Sequence, residues 1–149
     1  MKADLFTLDP RELPAATGSK LYWDYVTGAP DALEFYSLGP LDFDKALASR
    51  QEHIYPRRAL CRQLAEYNAR LGADARAVAN IDALGEPDTY CVITGQQAGL
   101  MGGPAYTAYK IITAIRLAEH LSERWDTRVI PVFWLASEDH DFDEVNHAY

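Results

Sequence analysis

The hydrophobic positions change period once along this chain. Leu60, Leu64, Tyr67 and Leu71 recur in steps of four, three and four, one helical stripe that stops at Gly72. Asp74 predicts the cap of a further short helix, with Val78, Ile81 and Leu84 facing inward and Gly85 at its end. Upstream, Asp31 predicts the cap of a helix reaching about Leu38, where Gly39-Pro40 ends it. Another helical stretch starts near Asp42 and is interrupted or restarted at Pro56, since proline is tolerated only in a first turn. Residues 1–30 are punctuated by Pro10, Pro14, Gly18, Gly28 and Pro30. They read as an irregular arm, pinned by Tyr22, Trp23 and Tyr25.

At Thr89 the helical period gives way to a continuous apolar run. "TYCVIT", Thr89 to Thr94, lacks polar alternation, as expected of a strand buried on both faces. Pro104 predicts the first turn of a helix reaching about Glu123. Its apolar residues Tyr109, Ile111, Ile112, Ala114, Ile115, Ala118 and Leu121 form a broad stripe suited to lying on a sheet. "RVIPVFWLA", residues 128–136, predicts a second buried strand, with Pro131 near its start. Strand, helix and strand at this spacing make a βαβ unit, two parallel strands joined by a right-handed crossover. The expected organisation is an irregular arm and helical lead-in over 1–87 and an α/β unit over 88–149.

Composition narrows the function classes. At 149 residues, 48% hydrophobic and 24% charged, the chain has globular values. A formal charge of −8 argues against a generic nucleic-acid or anionic-membrane surface. Cys61 and Cys91 are too few for a disulfide framework or a zinc site, and Cys91 is expected to be a small buried hydrophobe. No apolar segment follows Lys2, and no run approaches the roughly 18 residues of a membrane span, so a cytoplasmic location is expected.

The candidate chemistry clusters after the two strands. "TGQQAGLMGGP", Thr94 to Pro104, concentrates Gly95, Gly99, Gly102 and Gly103 with Gln96 and Gln97. In a βαβ unit this turn lies at the carboxyl edge of the sheet, where open α/β folds bind ligands. Glycines let backbone approach a ligand, and the following helix end favours an anion. The glutamine amides can donate and accept. Lys110 can stretch to solvent or reach back over the loop. The glycines can also simply turn the chain.

Named motifs fit only in part. Thr94-Gly95-x-x-x-Gly99 is similar to the glycine loop of short-chain dehydrogenases, but Met101 stands where a third glycine belongs. Tyr106-x-x-x-Lys110 copies their catalytic pair too early in the chain. No Gly-Lys-Ser/Thr follows, which excludes a P-loop.

"SEDHDFDEVNHAY", residues 137–149, should open onto the same edge. It gathers Glu138, Asp139, Asp141, Asp143 and Glu144 beside His140, Asn146 and His147. Glu144 occupies the position a calcium loop reserves for glycine. A helical turn would bring His140, Glu144 and His147 to one face and permit a divalent metal, although no metal motif of high specificity is present. A solvated acidic loop and a polar substrate site are the other readings. A carboxylate beside a histidine supplies a general base near neutral pH, or recognition of an amine.

"VITGQQAGLMGGPAYTAYKIITAIRLAEHL" and "VIPVFWLASEDHDFDEVNHAY" together resemble the amino-terminal part of the BshC family, the cysteine-adding enzymes of bacillithiol biosynthesis. "LAEYNARLG" and the "NID" before the first strand fit as well. The resemblance implies a Rossmann-like parallel β-α-β core, with a coiled coil that dimerises the full-length protein. It implies a ligase that joins the carboxyl of cysteine to the amine of glucosaminyl-malate, the last step of the pathway. Small-molecule substrates are then the expected partners, with neither nucleic acid nor membrane. The cofactor stays open, an adenine nucleotide being the candidate. Under that resemblance His140, Asp141 and Lys110 are the catalytic candidates. Thr94, Gly95, Gln96, Gln97, Gly99, Tyr106, Glu138, Asp139, Asn146 and His147 are the substrate-binding ones. Family members are several times longer, so the chain reads as a fragment with an incomplete sheet. The alternatives are a nicotinamide-dependent oxidoreductase built on the glycine loop and a metal-dependent hydrolase built on His140, Glu144 and His147.

Overall fold

The structure, a computed structural model, describes residues 19–99 and 102–138. The chain divides into two compact units, Met1–Tyr55 and Pro56–Tyr149.

In the first unit lie α1 (Lys20–Thr27), α2 (Pro30–Leu33) and α3 (Phe43–Gln51). Gly28 ends α1 in the left-handed conformation, φ 76°. Tyr25 donates its hydroxyl to Leu38 O at 3.2 Å, and its ring meets that of Tyr36 at a tilt, centroids 4.3 Å apart, which ties α1 to the segment after α2. Asp31 does not cap α2. Pro30 occupies the first helical position, so the cap falls on Ala29, and the helix stops at Leu33 rather than Leu38. Asp42 precedes α3, and its carboxylate accepts from Lys45 and from Gly39 N. The lysine hydrogen bond, then the Gly39 N–H, holds that carboxyl below its usual range.

The second unit contains α4 (Arg57–Arg70), α5 (Ala75–Ala83), β1 (Tyr90–Gln97), α6 (Ala105–Trp125) and β2 (Val129–Ala136). Asp74 caps α5 as its sequence predicts, accepting from Ala77 N at 2.8 Å. Ile81, Ala83 and Leu84 are buried, but Val78 is exposed. The apolar stripe of α4 is likewise open at Leu60, Tyr67 and Leu71. α4 packs on α5 but buries no residue of its own, so much of its stripe has no cover.

Arg57 sets the turn that feeds β1. Its guanidinium donates to Leu84 O at 3.1 Å, Thr89 O at 2.9 Å and Pro87 O at 2.9 Å. The planar fork suits three carbonyls presented from one turn.

β1 and β2 are parallel and paired in register from Tyr90 with Val129 to Gln97 with Ala136. The crossover helix α6 buries Thr107, Ala114, Ala118 and Leu121, and β2 buries Val129 and Ile130. Alanines at the contact let the helix axis come close to the strands. Ser122 locks the far end, donating to Ala118 O at 2.8 Å and accepting from Val129 N at 2.9 Å. Asp126 turns the chain between them with φ 47°, a conformation its short polar side chain tolerates.

On the face of this sheet that carries Ile93 and Trp134, cover reaches only the amino end, where Ile130 is buried. The expectation of strands buried on both faces is therefore corrected: Cys91 is exposed, Ile93 is 66% exposed and Trp134 61%. Cys91 is thus not the buried hydrophobe its apolar run predicts. Protein atoms on one side still desolvate a thiolate there, which pushes the thiol up against the opposing pull of Arg57. On α6, Tyr109, Ile111, Ile112 and Ile115 are exposed, so the predicted broad stripe narrows to the seam that meets the strands. No helix among the described residues is long and apolar enough to cross a membrane.

The Arg57 clamp is testable. Arg57→Met keeps the aliphatic stem and leaves three carbonyls without their donor. It should lower unfolding stability by about 1–3 kcal/mol, the range for stranding covered polar groups. A denaturant midpoint unchanged from the parent would show that water replaces the guanidinium at no cost.

Candidate functional site

The site is built where β1 runs into the glycines. The strand does not stop at Thr94; it carries through Gly95, Gln96 and Gln97, which pair with Trp134, Leu135 and Ala136. The two glutamines are therefore the last strand residues rather than part of the turn, a correction to the predicted boundary. Gly95 is required by its neighbour. A Cβ there would stand 2.6 Å from Trp134 O and 3.1 Å from Trp134 Cβ.

Strand placement fixes Gln96, and α6 reads it. Lys110 reaches back along the helix: Nζ donates to Gln96 Oε1 at 2.7 Å and to Gly95 O at 3.2 Å. An ammonium only donates, so the Gln96 atom facing it must be the amide oxygen. Gln96 Nε2 then donates to Gln97 Oε1 at 2.7 Å and to Tyr106 OH at 3.2 Å. Lys110 Nζ also lies 5.5 Å from the centre of the Tyr106 ring, within cation–π range. Every polar atom of the Gln96 amide is thereby engaged. The ammonium keeps one of its three donors, and the Gln97 amide keeps its NH2.

The loop beyond is shaped by bare backbone. Gly102 N donates to Gly99 O at 3.2 Å, and a Cβ on Gly99 would meet Gly103 Cα at 2.7 Å. Gly102 and Gly103 have φ of 96° and 83°, which disfavour any side chain. Pro104, in extended conformation, precedes the helix instead of occupying its first turn, and α6 runs to Trp125, two residues past the predicted end.

Of the predicted site residues, the structure gathers Gly95, Gln96, Gln97, Tyr106 and Lys110 into one hydrogen-bonded group. Thr94 lies just before them on β1, half-buried and paired with Phe133, and Gly99 shapes the loop. Glu138 follows β2, exposed. Asp139, His140, Asp141, Asp143, Glu144, Asn146 and His147 lie outside the described residues. One polar group escaped the sequence reading. Thr107 is 8% exposed, and its hydroxyl has no hydrogen-bond partner. A threonine one turn past a proline cap was the available signal, because that cap offers no N–H for the hydroxyl to meet.

Gly95→Ala should cost about 1–3 kcal/mol, since the obstruction is backbone and the parallel pair must shift to relieve it. Thermal unfolding of the variant checks this. A melting temperature equal to the parent's would mean that β2 yields freely at Trp134.

Comparison with known proteins shows the family of the chain. The family model described as "Bacillithiol biosynthesis BshC, N-terminal Rossmann-like domain" matches residues 8–149. A protein of Geobacillus thermodenitrificans (strain NG80-2) named "Putative cysteine ligase BshC" is 41% identical over 145 residues, 95% of this chain and 27% of that protein. A protein of the same name from Bacillus cereus (strain ATCC 10987 / NRS 248) is 42% identical over 128 residues, 85% of this chain and 24% of its own length. One from Geobacillus kaustophilus (strain HTA426) is 39% identical over 145 residues, covering 95% and 27%. The chain thus spans about a quarter of the length of the relatives it matches. With a matching family model over nearly all of its residues and a parallel strand pair joined by a helix, the chain belongs to the BshC N-terminal Rossmann-like family.

Proposed function

We propose that this chain is the amino-terminal, substrate-holding part of a ligase that joins the carboxyl of cysteine to the amine of glucosaminyl-malate. The observation that carries this reading is the Lys110–Gln96–Tyr106–Gln97 group at the carboxyl edge of β1, in a chain of the BshC family. Amide formation needs three things at one place. A carboxyl group must be held and its negative charge met. An amine must lose a proton, and the two must be brought together in order.

The β1 edge suits the first task. Lys110 has a donor left over, and Gln97 offers its NH2, both on groups whose orientation Gln96 fixes. Such preset donors stabilise charge that grows on an acyl oxygen without reorganising during the reaction. The segment after β2 suits the second. His140 is the group to take the proton of the attacking amine. Glu138, Asp139 and Asp141 provide the negative field for an ammonium, and Asn146 and His147 add further hydrogen-bonding groups. An adenine nucleotide is the candidate for activating the carboxyl. That β1 and β2 are parallel and end at the same edge supports assigning both tasks to it.

Two substitutions in the full-length protein separate these roles. Gln97→Ala should lower turnover while unfolding stability stays within about 0.5 kcal/mol, because an amide at a strand end contributes little to folding. A large loss of stability with substrate affinity intact would return the glutamine to a structural role. His140→Asn should cut turnover by roughly 10²-fold or more, the range for a lost general base, with the fold retained. Near-parent turnover from about pH 6 to pH 9 would show that the edge recognises substrate without moving protons.

A further inference from the structure

We infer that Gln96 is a positioning residue, whose neutral amide sets the direction of the hydrogen bonds around it and so turns the Tyr106 hydroxyl and the Gln97 NH2 outward as donors. The direction starts at the cation. An ammonium has three N–H donors and no acceptor, so Lys110 Nζ at 2.7 Å admits only the oxygen of the Gln96 amide. Nε2 is then at the other end, and its N–H groups need acceptors.

One of them goes to Gln97 at 2.7 Å, which must present its own oxygen and hold its NH2 away. The other goes to the Tyr106 hydroxyl at 3.2 Å. A phenol oxygen that accepts there keeps its own hydrogen for another partner, and Tyr106 is 50% exposed. One cation thus sets the polarity of two groups beyond its own acceptors. Gln96 is half-buried and paired with Leu135 in the ladder, so the strand holds the amide that passes the direction on. With both ends of that amide engaged, Gln96 acts only through its neighbours.

Neutrality matters here as much as shape. Glutamate has the outline of glutamine but only accepts. In its place Lys110 would be ion-paired, and Gln97 and Tyr106 would turn NH2 and O–H inward to the carboxylate. Both outward donors would be consumed and the cation neutralised, without loss of packing. Methionine keeps the length of the side chain without its polar atoms, and would leave all three neighbours unoriented. In the ligase reading, on which the effect on turnover rests, the outward donors face the oxygens of the acyl group.

Two measurements on the full-length protein test the role of Gln96. With glutamine side chains labelled with 15N, hydrogen exchange reports which NH2 groups are engaged. In the parent the Gln96 NH2 should exchange about tenfold more slowly than the Gln97 NH2, the scale of one hydrogen bond. In Gln96→Glu the Gln97 NH2 should become the protected one. Equal exchange of the two amides in the parent, or a Gln97 amide unaltered by the glutamate, overturns the inference. The second measurement is turnover with cysteine and glucosaminyl-malate. Gln96→Glu should cut it about tenfold or more, the lower end for removing preset donors, at a melting temperature equal to or above the parent's. Gln96→Met should cut it as well, with a lower melting temperature. Parent-level turnover in a folded variant, or turnover lost only together with the fold, overturns the positioning role. If Gln96→Glu does not fold, Gln96→Met stands in the turnover assay and the parent's two amides decide the direction. A parent that forms no product refutes the ligase reading and leaves amide exchange to decide the positioning.

Discussion

The parallel pairing of β1 with β2 is the constraint on which the rest of this unit depends. Antiparallel strands can be joined by a two-residue turn, whereas parallel ones need a crossover that returns the chain to the starting edge. Here α6 makes that return. Both strands therefore end at one edge, and α6 begins there too. Gly95, Gln96, Gln97, Tyr106 and the carboxyl end of β2 are brought together by topology before any side chain is chosen. The same topology demands cover on both faces of the sheet. α6 supplies it on one face through Ala114, Ala118 and Leu121, and Ile93 and Trp134 remain open on the other.

The charge at this edge follows from how Lys110 is held. None of the ion pairs among the described residues involves it. Its two protein acceptors are a backbone carbonyl and an amide oxygen, dipoles that orient the ammonium without neutralising it. A carboxylate in their place would tie the lysine down and cancel its field. Dipoles leave a directed positive charge beside the glycine loop, where an anionic group can reach it. Gln96 serves as the rigid spacer in this design, because the lysine fixes its oxygen and Tyr106 and Gln97 fix its nitrogen.

Hydrophobic period carries the element types in this chain, and it carries them well. The change from helical stripes to continuous apolar runs marks the βαβ unit, and Asp74 marks its helix by a hydrogen bond that forms as read. Period does not report which neighbour exists. Val78, Ile112 and Tyr109 are apolar at helical spacing yet exposed, because burial depends on an opposing surface that the local sequence does not encode. Strand ends are equally hidden. Gln96 and Gln97 look like turn residues because they are polar and flanked by glycines, but ladder pairing with Leu135 and Ala136 keeps them extended. Gly95, which reads as a turn signal, is set by the close approach of Trp134. Lys110 illustrates the remaining gap: its type and spacing allow two directions, and only the position of the Gln96 oxygen selects one.

The edge divides its polar groups into those that are spent and those that are kept. Gln96 uses its whole amide on protein, which removes it from direct binding and makes it a positioner of others. Gln97 gives up its oxygen and keeps a donor; Lys110 gives two donors and keeps one; the Thr107 hydroxyl gives none. Among these three groups, on β1 and the first turns of α6, hydrogen-bond donors outnumber acceptors, beside a helix end whose own dipole is positive. Donors left together, on groups that their neighbours hold in place, are the arrangement that desolvates an oxyanion at least cost.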